Sequence, residues 1–529
     1  MDSDEDDPTN YPNSRLLDLL GHSGRPIVVR SSAGSQFVVI FADRGTNQLG
    51  SAASASDQSL SGDENMYSDY SRVYQTSYPG MGRQTRRMAM QRRSAKKYNK
   101  DHPPCCDGVD KTDIGRQIQL ESGGRFERCS TSRLLRHREY AVRSRCMPSR
   151  RAQLGNRQLP DRASVVISGP SRVFIGRFSE KGDIFVSCSQ SGRITILKVD
   201  GRRLIPHRTI AGREVGWSII DMAFSPDEQY GVYSSWCHSL YMINLNNDTS
   251  EVHTPLDMDP EEDSHFCAFS LQFSSDNHQI MAGCNYGQVY MYDRMRGART
   301  LAFQAHDDDV NTTCFGDASS HILFSGSDDC VVKAWDRRTL SAGNPEAVAT
   351  FHGHSDGLTC VSPRGDGRYL ISNSKDHSMK LWDVRKPAAA SMSPEQSTAA
   401  TATAATERRQ NDSSVMTYRG HTTKSTLVRC AFSPAHTTGQ RYVYTGSALG
   451  ACVIYDVLTG EVAAELQGHT GVVRDVSWHP TNPGMITTAS WDGDVKLWQR
   501  NVTDEMPSAD AHSSYDASYG PDLSGTAFF

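Results

Sequence analysis

The chain has 529 residues, enough for several domains or for one large repeat domain with additional segments. Hydrophobic residues make up 37% and charged residues 22%, with 42 Gly and 22 Pro, a polar composition that indicates unfolded segments beside a folded core. No apolar run has the length of a membrane span, and the acidic start MDSDEDD is unlike a signal peptide, so we expect a non-secreted protein. The 13 scattered cysteines favour a reducing compartment over a disulfide framework.

The N-terminal region, 1–162, is predicted to be largely disordered. Near its start, Asn13 and Ser14 precede Leu16, Leu17, Leu19 and Leu20, which predicts a short capped helix that docks on a partner or packs on the folded domain. Farther along, Cys105 and Cys106 lack a second cysteine pair nearby, and zinc needs about four ligands at set spacings. We therefore expect no metal and no cofactor.

Charge is distributed unevenly. Residues 83–162 carry 21 Lys and Arg against 8 Asp and Glu, a net charge of +13, whereas the whole chain has a net charge of −5. Within this part, residues 83–100 contain no acidic residue. Nuclear import is the leading interpretation of this segment, with a solvated basic tail as the alternative, and we expect the protein in nucleus and cytoplasm. Direct nucleic-acid binding is disfavoured because few aromatic residues are interleaved for base stacking.

Repeats begin after residue 162, where all 7 Trp lie. Three weaker units, at 184–197, 222–243 and 271–293, show alternating β-branched and aromatic runs separated by turn residues, which predicts antiparallel strands. Four stronger units follow, each leading from a His through a Ser- or Thr-containing strand and a turn to a Trp or Tyr. Their last positions are Asp336, Asp383, Asp456 and Gln499. The long step from 383 to 456 contains a polar insertion at 388–413, a predicted loop.

This repeated order of His, strand, turn and Trp-Asp resembles the WD-repeat family, in which each repeat forms one four-stranded blade of a β-propeller. The resemblance implies an all-β, seven-bladed WD-repeat β-propeller over residues 163–500, followed by a disordered tail at 501–529. Because the last repeat lacks an outer strand, the segment 164–168 (SVVIS) is expected to supply it. The family alignment assigns three structural tetrads of hydrogen-bonded side chains: His306, Asp329, Ser325 and Trp335; His354, Asp376, Ser372 and Trp382; His469, Asp492, Thr488 and Trp498.

Other repeats depart from the pattern at the position of the turn Asp. Leu449, Tyr286, His238 and Ser191 occupy that position, so these blades are expected to depend more on apolar packing. No phosphate loop, HExxH or GxSxG motif is present, and the His and Asp pairs of the repeats are structural in this family. We therefore expect no catalytic residues and no enzyme activity in the chain itself.

Two consecutive repeats end in WDxR, at 335–338 and 382–385. This resembles the motif of WD-repeat substrate receptors that dock on the DNA-damage-binding adaptor of cullin-4 ubiquitin ligases. The resemblance implies that Arg338 and Arg385 bind the adaptor, because an arginine leaving a strand on a short turn presents a planar charged fork at one rim. The alternative is that each Arg only pairs with an acidic neighbour. Two tandem copies of the motif favour adaptor binding over this alternative.

Further segments narrow the resemblance to the subfamily of DDB-and-cullin-4-associated factor eleven. These are GWS at 216–218, FSPD at 224–227, YSSW at 233–236, HDDDV at 306–310, ILFSG at 322–326, YLISNSKD at 369–376, MTYRGH at 416–421, VRDVSWHP at 473–480 and SWDG at 490–493. The similarity implies a substrate receptor that holds a protein for ubiquitination and proteasomal degradation. A general WD-repeat scaffold, or a propeller associated with chromatin or RNA, remains the alternative.

The substrate surface is predicted on the rim opposite the two arginines, where WD-repeat propellers carry the His and the turn Asp. There an acidic arc is expected, with Trp491 as an exposed aromatic anchor beside it. The alternative is that these Asp residues only solvate and terminate strands. The predicted substrate-binding residues are Asp307, Asp308, Asp309, Asp328, Asp356 and Trp491.

Overall fold

The computed structural model describes residues 27–30, 37–40, 112–122, 159–246, 253–258, 266–341, 345–387, 412–423 and 426–500. The predicted helix at 13–20, the basic segment 83–100, Cys105, Cys106, most of the insertion and the tail lie outside these residues. The chain divides into two compact units, Met1–Tyr78 and Pro79–Phe529. In the first unit, β1 (Ile27–Arg30) pairs antiparallel with β2 (Phe37–Ile40).

The second unit contains seven four-stranded sheets, each an antiparallel meander of strands a to d from the inside outward. Blade 1 comprises β4 (Val173–Phe178), β5 (Ile184–Ser189), β6 (Arg193–Asp200) and β7 (Arg203–Ala211). Blade 2 comprises β8 (Asp221–Phe224), β9 (Tyr230–Ser234), β10 (Ser239–Asn244) and β11 (Thr254–Asp257). Blade 3 comprises β12 (Ala268–Phe273), β13 (Gln279–Cys284), β14 (Gln288–Asp293) and β15 (Ala298–Gln304), with a short 3-10 helix at Asn285–Gly287.

The next three blades follow the same order. Blade 4 comprises β16 (Val310–Phe315), β17 (Ile322–Ser327), β18 (Val332–Asp336) and β19 (Ala349–Phe351). Blade 5 comprises β20 (Leu358–Pro363), β21 (Tyr369–Ser374), β22 (Ser378–Asp383) and β23 (Met416–Arg419). Blade 6 comprises β24 (Cys430–Phe432), β25 (Tyr442–Ser447), β26 (Ala451–Asp456) and β27 (Val462–Gln467).

Blade 7 closes the ring with strands from both ends of the propeller. Its inner strands are β28 (Val473–Trp478), β29 (Met485–Ser490) and β30 (Val495–Gln499), and its outer strand is β3 (Arg162–Ile167), which pairs with β30. Gly493 permits a close approach here, since its φ is +91° and an added Cβ would lie 1.9 Å from the carbonyl oxygen of Gly169. The seven-bladed β-propeller and its closing strand are therefore confirmed.

Burial decreases from the inner to the outer strands. All six residues of β21 and of β29 are buried, whereas five of the six residues of β27, on the outer edge, are exposed or half-buried. Charged side chains join the inner strands near the axis. The Asp221 carboxylate forms ion pairs with Arg177 at 3.3 Å and with Arg429 at 2.8 Å. The Asp475 carboxylate also pairs with Arg177, at 3.3 Å. Buried carboxylates are stable in such a place because each has a cationic partner.

A helix not singled out from the sequence, α1 (Asp113–Glu121), packs on the propeller between blades 5 and 6. Thr112 caps it by accepting a hydrogen bond from the Gly115 amide at 3.3 Å. Ile114 and Ile118, fully buried, join an apolar cluster with residues of both blades. A second short helix, α2 (Ala435–Thr438), ends at Gly439, whose φ of +63° and closeness to the backbone of Glu121 exclude a side chain.

The strand order separates the turns into two faces. Connections from strand b to strand c, and from strand d of one blade to strand a of the next, emerge at one face, which we call the upper face. Connections from a to b and from c to d emerge at the opposite, lower face. Helix α1 lies at the lower face because Glu121 pairs with Arg364, a residue of an a-to-b turn, at 2.6 Å.

Candidate interaction faces

Three blades contain a continuous chain of four hydrogen-bonded side chains. In blade 7, Asp492 bonds His469 Nδ1 at 2.9 Å, and Thr488 Oγ1 lies 2.7 Å from His469 Nε2 and 2.9 Å from Trp498 Nε1. Because the carboxylate can only accept, Nδ1 carries the proton and Nε2 accepts from the hydroxyl. The same chain joins His306, Asp329, Ser325 and Trp335 in blade 4, and His354, Asp376, Ser372 and Trp382 in blade 5.

The electrostatics of these chains fit a structural role. Burial lowers the pKa of His306, so its imidazole stays neutral. Burial alone would raise the pKa of Asp329, but the hydrogen bonds from His306 and the Val331 amide, together with the nearby Lys333 charge, hold that pKa below its usual range. Both imidazole nitrogens are used inside the blade and the ring is buried, so these His and Asp pairs are not placed to act on a substrate.

Blade 6 lacks the turn Asp yet keeps a polar network. His421 Nδ1 lies 2.8 Å from the hydroxyl of Tyr455, and its Nε2 lies 2.8 Å from the amide oxygen of Asn373 in blade 5. Leu449, at the position of the turn Asp, is buried. The burial of Leu449 agrees with the expectation that such blades depend more on apolar packing, and Tyr455 and Asn373 in addition supply polar partners for the histidine, which the sequence did not indicate.

The two predicted adaptor-binding arginines lie at equivalent turns of the lower face, after strand c of blades 4 and 5. Arg338 is 64% exposed and Arg385 is 60% exposed. Arg338 donates through Nε and Nη2 to the Asp336 carboxylate at 3.0 and 2.7 Å, which holds the pKa of that carboxyl at about 2. Both guanidinium groups are thus presented to solvent while each is paired with a carboxylate of this chain.

Helix α1 borders Arg385, one of these two arginines. The Asp113 carboxylate lies 3.3 Å from Nη2 of Arg385 and 2.9 Å from Nη2 of Arg368. Leu120, on the same helix, is strongly exposed although it is a large apolar residue. The lower face therefore combines two exposed cations with a helix that carries an exposed leucine.

The acidic arc lies on the upper face, at the d-to-a connections into blades 4 and 5 and the b-to-c turn of blade 4. Asp307 and Asp356 are exposed, whereas the other three carboxylates are half-buried. Asp309 accepts the Tyr286 amide at 2.9 Å. Lys375 reaches into the arc and pairs with Asp328 at 2.7 Å, so part of the predicted negative charge is neutralised within the chain.

Trp491 also lies at the upper face, but its surroundings differ from the expectation of an exposed anchor. It is half-buried, with its ring 5.7 Å from that of Phe174 and the guanidinium of Arg172 4.9 Å above it. The more exposed indoles of this face belong to Trp217 and Trp236, at 38% and 36% exposure. A chain position does not show which indole is covered by neighbouring blades.

Comparison with known proteins identifies the repeats and the family. The WD domain, G-beta repeat family matches residues 297–336, 345–383 and 460–499, and each of these segments contains one complete tetrad. The chain is 39% identical to a LEC14B homolog of Prunus armeniaca, over 64% of this chain and 74% of that protein. It is 33% identical to a DDB1- and CUL4-associated factor 11 homolog of Caenorhabditis elegans, over 73% of this chain and 72% of that protein. The chain belongs to this family of WD-repeat proteins.

The chain is also 36% identical to a LEC14B protein of Lithospermum erythrorhizon, over 72% of this chain and 84% of that relative. The WD-repeat family and its resemblance to the factor 11 subfamily are thereby confirmed. In the part of the chain that the structure describes, no helix is long and apolar enough to cross a bilayer.

Proposed function

We propose that this factor 11 relative is a non-catalytic substrate receptor of a cullin-4 ubiquitin ligase. Its lower face would bind the DDB1 adaptor through Arg338 and Arg385, and its upper face would hold the protein to be ubiquitinated and degraded. The names of the Caenorhabditis relatives, which refer to DDB1 and CUL4, support this assignment. The observation that carries it is the pair of exposed guanidinium groups at equivalent turns of neighbouring blades.

The carboxylates that now pair with these arginines can be replaced by groups of the adaptor when it binds. Exposed ion pairs contribute little to stability, because solvent screens them and the side chains lose freedom when they pair. Asp336, Asp383 and Asp113 can therefore release or share the guanidinium groups when an adaptor carboxylate or carbonyl approaches. An arginine fork binds such acceptors through two parallel hydrogen bonds, which fixes orientation as well as energy.

The two faces also give the geometry that a receptor needs. The arginines lie at c-to-d turns, whereas the acidic arc lies at b-to-c turns and d-to-a connections on the other side of the sheets. A substrate on the upper face therefore leaves the arginines accessible to the adaptor. Both partners could be held at once, which positions the substrate without any chemistry by this chain.

The test is capture of purified adaptor by the full-length chain carrying Arg338→Ala and Arg385→Ala together. Affinity is expected to fall at least about tenfold, because two charge-assisted contacts are lost. Arg296→Ala is the matched control, since Arg296 is an exposed arginine at the c-to-d turn of blade 3. Unchanged capture by the double variant would reject Arg338 and Arg385 as the adaptor contact. Absence of capture by the unchanged chain would favour a general scaffold.

A further inference from the structure

Five aromatic side chains form a connected row on the upper face, across blades 7, 1, 2 and 3. We call this row the aromatic ridge. The ring of Trp491 lies 5.7 Å from that of Phe174, which in turn meets Trp217 edge-on at 5.4 Å. Trp236 meets Phe269 edge-on at 6.3 Å. Each exposed indole therefore rests on a phenylalanine at the start of an inner strand.

Gly216 connects the two parts of the ridge. An added Cβ at this position would lie 2.8 Å from the carbonyl oxygen of Trp236 and 3.3 Å from its Cβ. The loop that carries Trp217 can thus lie directly against Trp236 only because residue 216 has no side chain. The contact places the loop that carries Trp217 directly beside Trp236, where blade 1 meets blade 2.

The ridge has the properties of an interface anchor. Trp217 and Trp236 remain 38% and 36% exposed, while their phenylalanine supports are buried or half-buried. Rings supported from below lose little conformational freedom on binding, and tryptophan is among the residues that contribute most to binding energy at protein interfaces. A partner that covers these indoles with bulky apolar side chains would remove their apolar surface from water.

The acidic arc lies on the same face, at blades 4 and 5, and determines the charge of the partner. Exposed Asp307 and Asp356 would repel a phosphate backbone and attract lysine or arginine. We propose that the upper face binds a peptide segment of the substrate that combines a bulky apolar residue, seated on the aromatic ridge, with lysine or arginine facing the acidic arc. This proposal rests on the proposed function, because it defines the substrate of that receptor.

The experiment uses a phage-displayed library of random dodecapeptides selected on the full-length chain. Selected sequences are expected to share aromatic or long aliphatic residues together with Lys or Arg. Their affinity, measured by fluorescence anisotropy, is expected to fall as NaCl rises from about 0.05 to 0.5 M. Selection of acidic peptides, absence of any enriched sequence, or stronger binding of a single-stranded oligonucleotide would overturn the proposal.

Variants then assign the binding to the ridge and the arc. Trp217→Ala with Trp236→Ala is expected to weaken the selected peptide at least about tenfold, and Asp307→Lys with Asp308→Lys to weaken it and remove its salt dependence. Met295→Ala, an exposed apolar residue on the lower face, is the matched control. If the double alanine variant does not fold, Trp236→Ala alone is measured in its place. Binding that survives the tryptophan changes would refute the proposal.

The outcome is separable from that of the proposed function. Arg338→Ala with Arg385→Ala is expected to leave peptide affinity unchanged, since these arginines lie on the other face. Peptide binding without adaptor capture would support the aromatic ridge as a binding site and reject the ligase role. Adaptor capture without peptide binding would support the ligase role and refute the aromatic ridge as a peptide-binding site.

Discussion

Replacing Thr488 by Val tests the structural role of the tetrads. The Thr488 hydroxyl joins His469 and Trp498 at 2.7 and 2.9 Å, and all three side chains are buried. Val keeps nearly the same volume but leaves the indole N–H and the imidazole Nε2 without partners. Each unsatisfied buried group costs about 1 to 3 kcal/mol, so the free energy of unfolding is expected to fall by about 2 to 6 kcal/mol.

The neighbouring residue provides a matched control. Thr487 is also fully buried, but its hydroxyl makes one hydrogen bond, to the Ser477 carbonyl at 3.2 Å. Thr487→Val is therefore expected to cost about 1 kcal/mol. Urea titrations followed by tryptophan fluorescence would measure both variants, with the transition midpoint falling much more for Thr488→Val. Equal shifts of the two midpoints would refute the idea that the tetrad contributes more than a single hydrogen bond.

Two further predictions concern pH and localisation. Burial lowers the pKa of His421 to about 3, so below about pH 6.5 the unfolded chain binds a proton that the folded chain does not bind. The free energy of unfolding therefore decreases as the pH falls below about 6.5. The urea concentration at the unfolding midpoint should therefore fall as the pH is lowered from about 7 to 4.5. This fall should be less steep in His421→Gln than in the exposed control His278→Gln, and an equal pH dependence of the two midpoints would contradict the role of His421. For localisation, we propose that residues 83–100 direct nuclear import. Changing Arg86, Arg87, Arg92 and Arg93 to Gln should move a fluorescent fusion to the cytoplasm, unlike the same change at Arg133, Arg136, Arg138 and Arg143; undiminished nuclear signal would reject the role.

The propeller could be predicted from the sequence because its information is local and repeated. Each blade carries its own alternating strands and turns, and the tetrad residues recur at fixed spacings. The closing strand was predictable for a related reason, since a last blade without an outer strand leaves an unpaired edge that another segment must cover. Repetition thus compensated for the weak signal of any single short strand.

The features that the sequence did not reveal depend on contacts between distant segments. Helix α1 is nine residues long, and only its two isoleucines, buried between blades 5 and 6, show why it forms there. An isolated helix of that length is marginal in water, so its stability comes from packing. Likewise, His421 bonds Asn373 of blade 5 as well as Tyr455 of its own blade, and no spacing within its own repeat indicates the contact with Asn373.

The candidate surfaces illustrate the same limit. The WDxR spacing placed Arg338 and Arg385 at equivalent turns, but the ion pair between Arg385 and Asp113 joins residues 272 positions apart. On the upper face, Trp491 is covered by Phe174 and Arg172 from blade 1, whereas Trp217 and Trp236 stay exposed. Exposure of an aromatic side chain is decided by which blades meet around it, and one chain position does not contain that information.

Titration of purified DDB1 adaptor against the full-length chain tests whether the lower face of the propeller binds the adaptor. We expect saturable binding with one adaptor per chain. The affinity should fall at least about tenfold when Arg338 and Arg385 are both changed to Ala, and it should be unaffected by Arg296→Ala. Absence of binding by the unchanged chain, or equal affinity of the unchanged chain and the double variant, would contradict the assignment of the lower face to the adaptor.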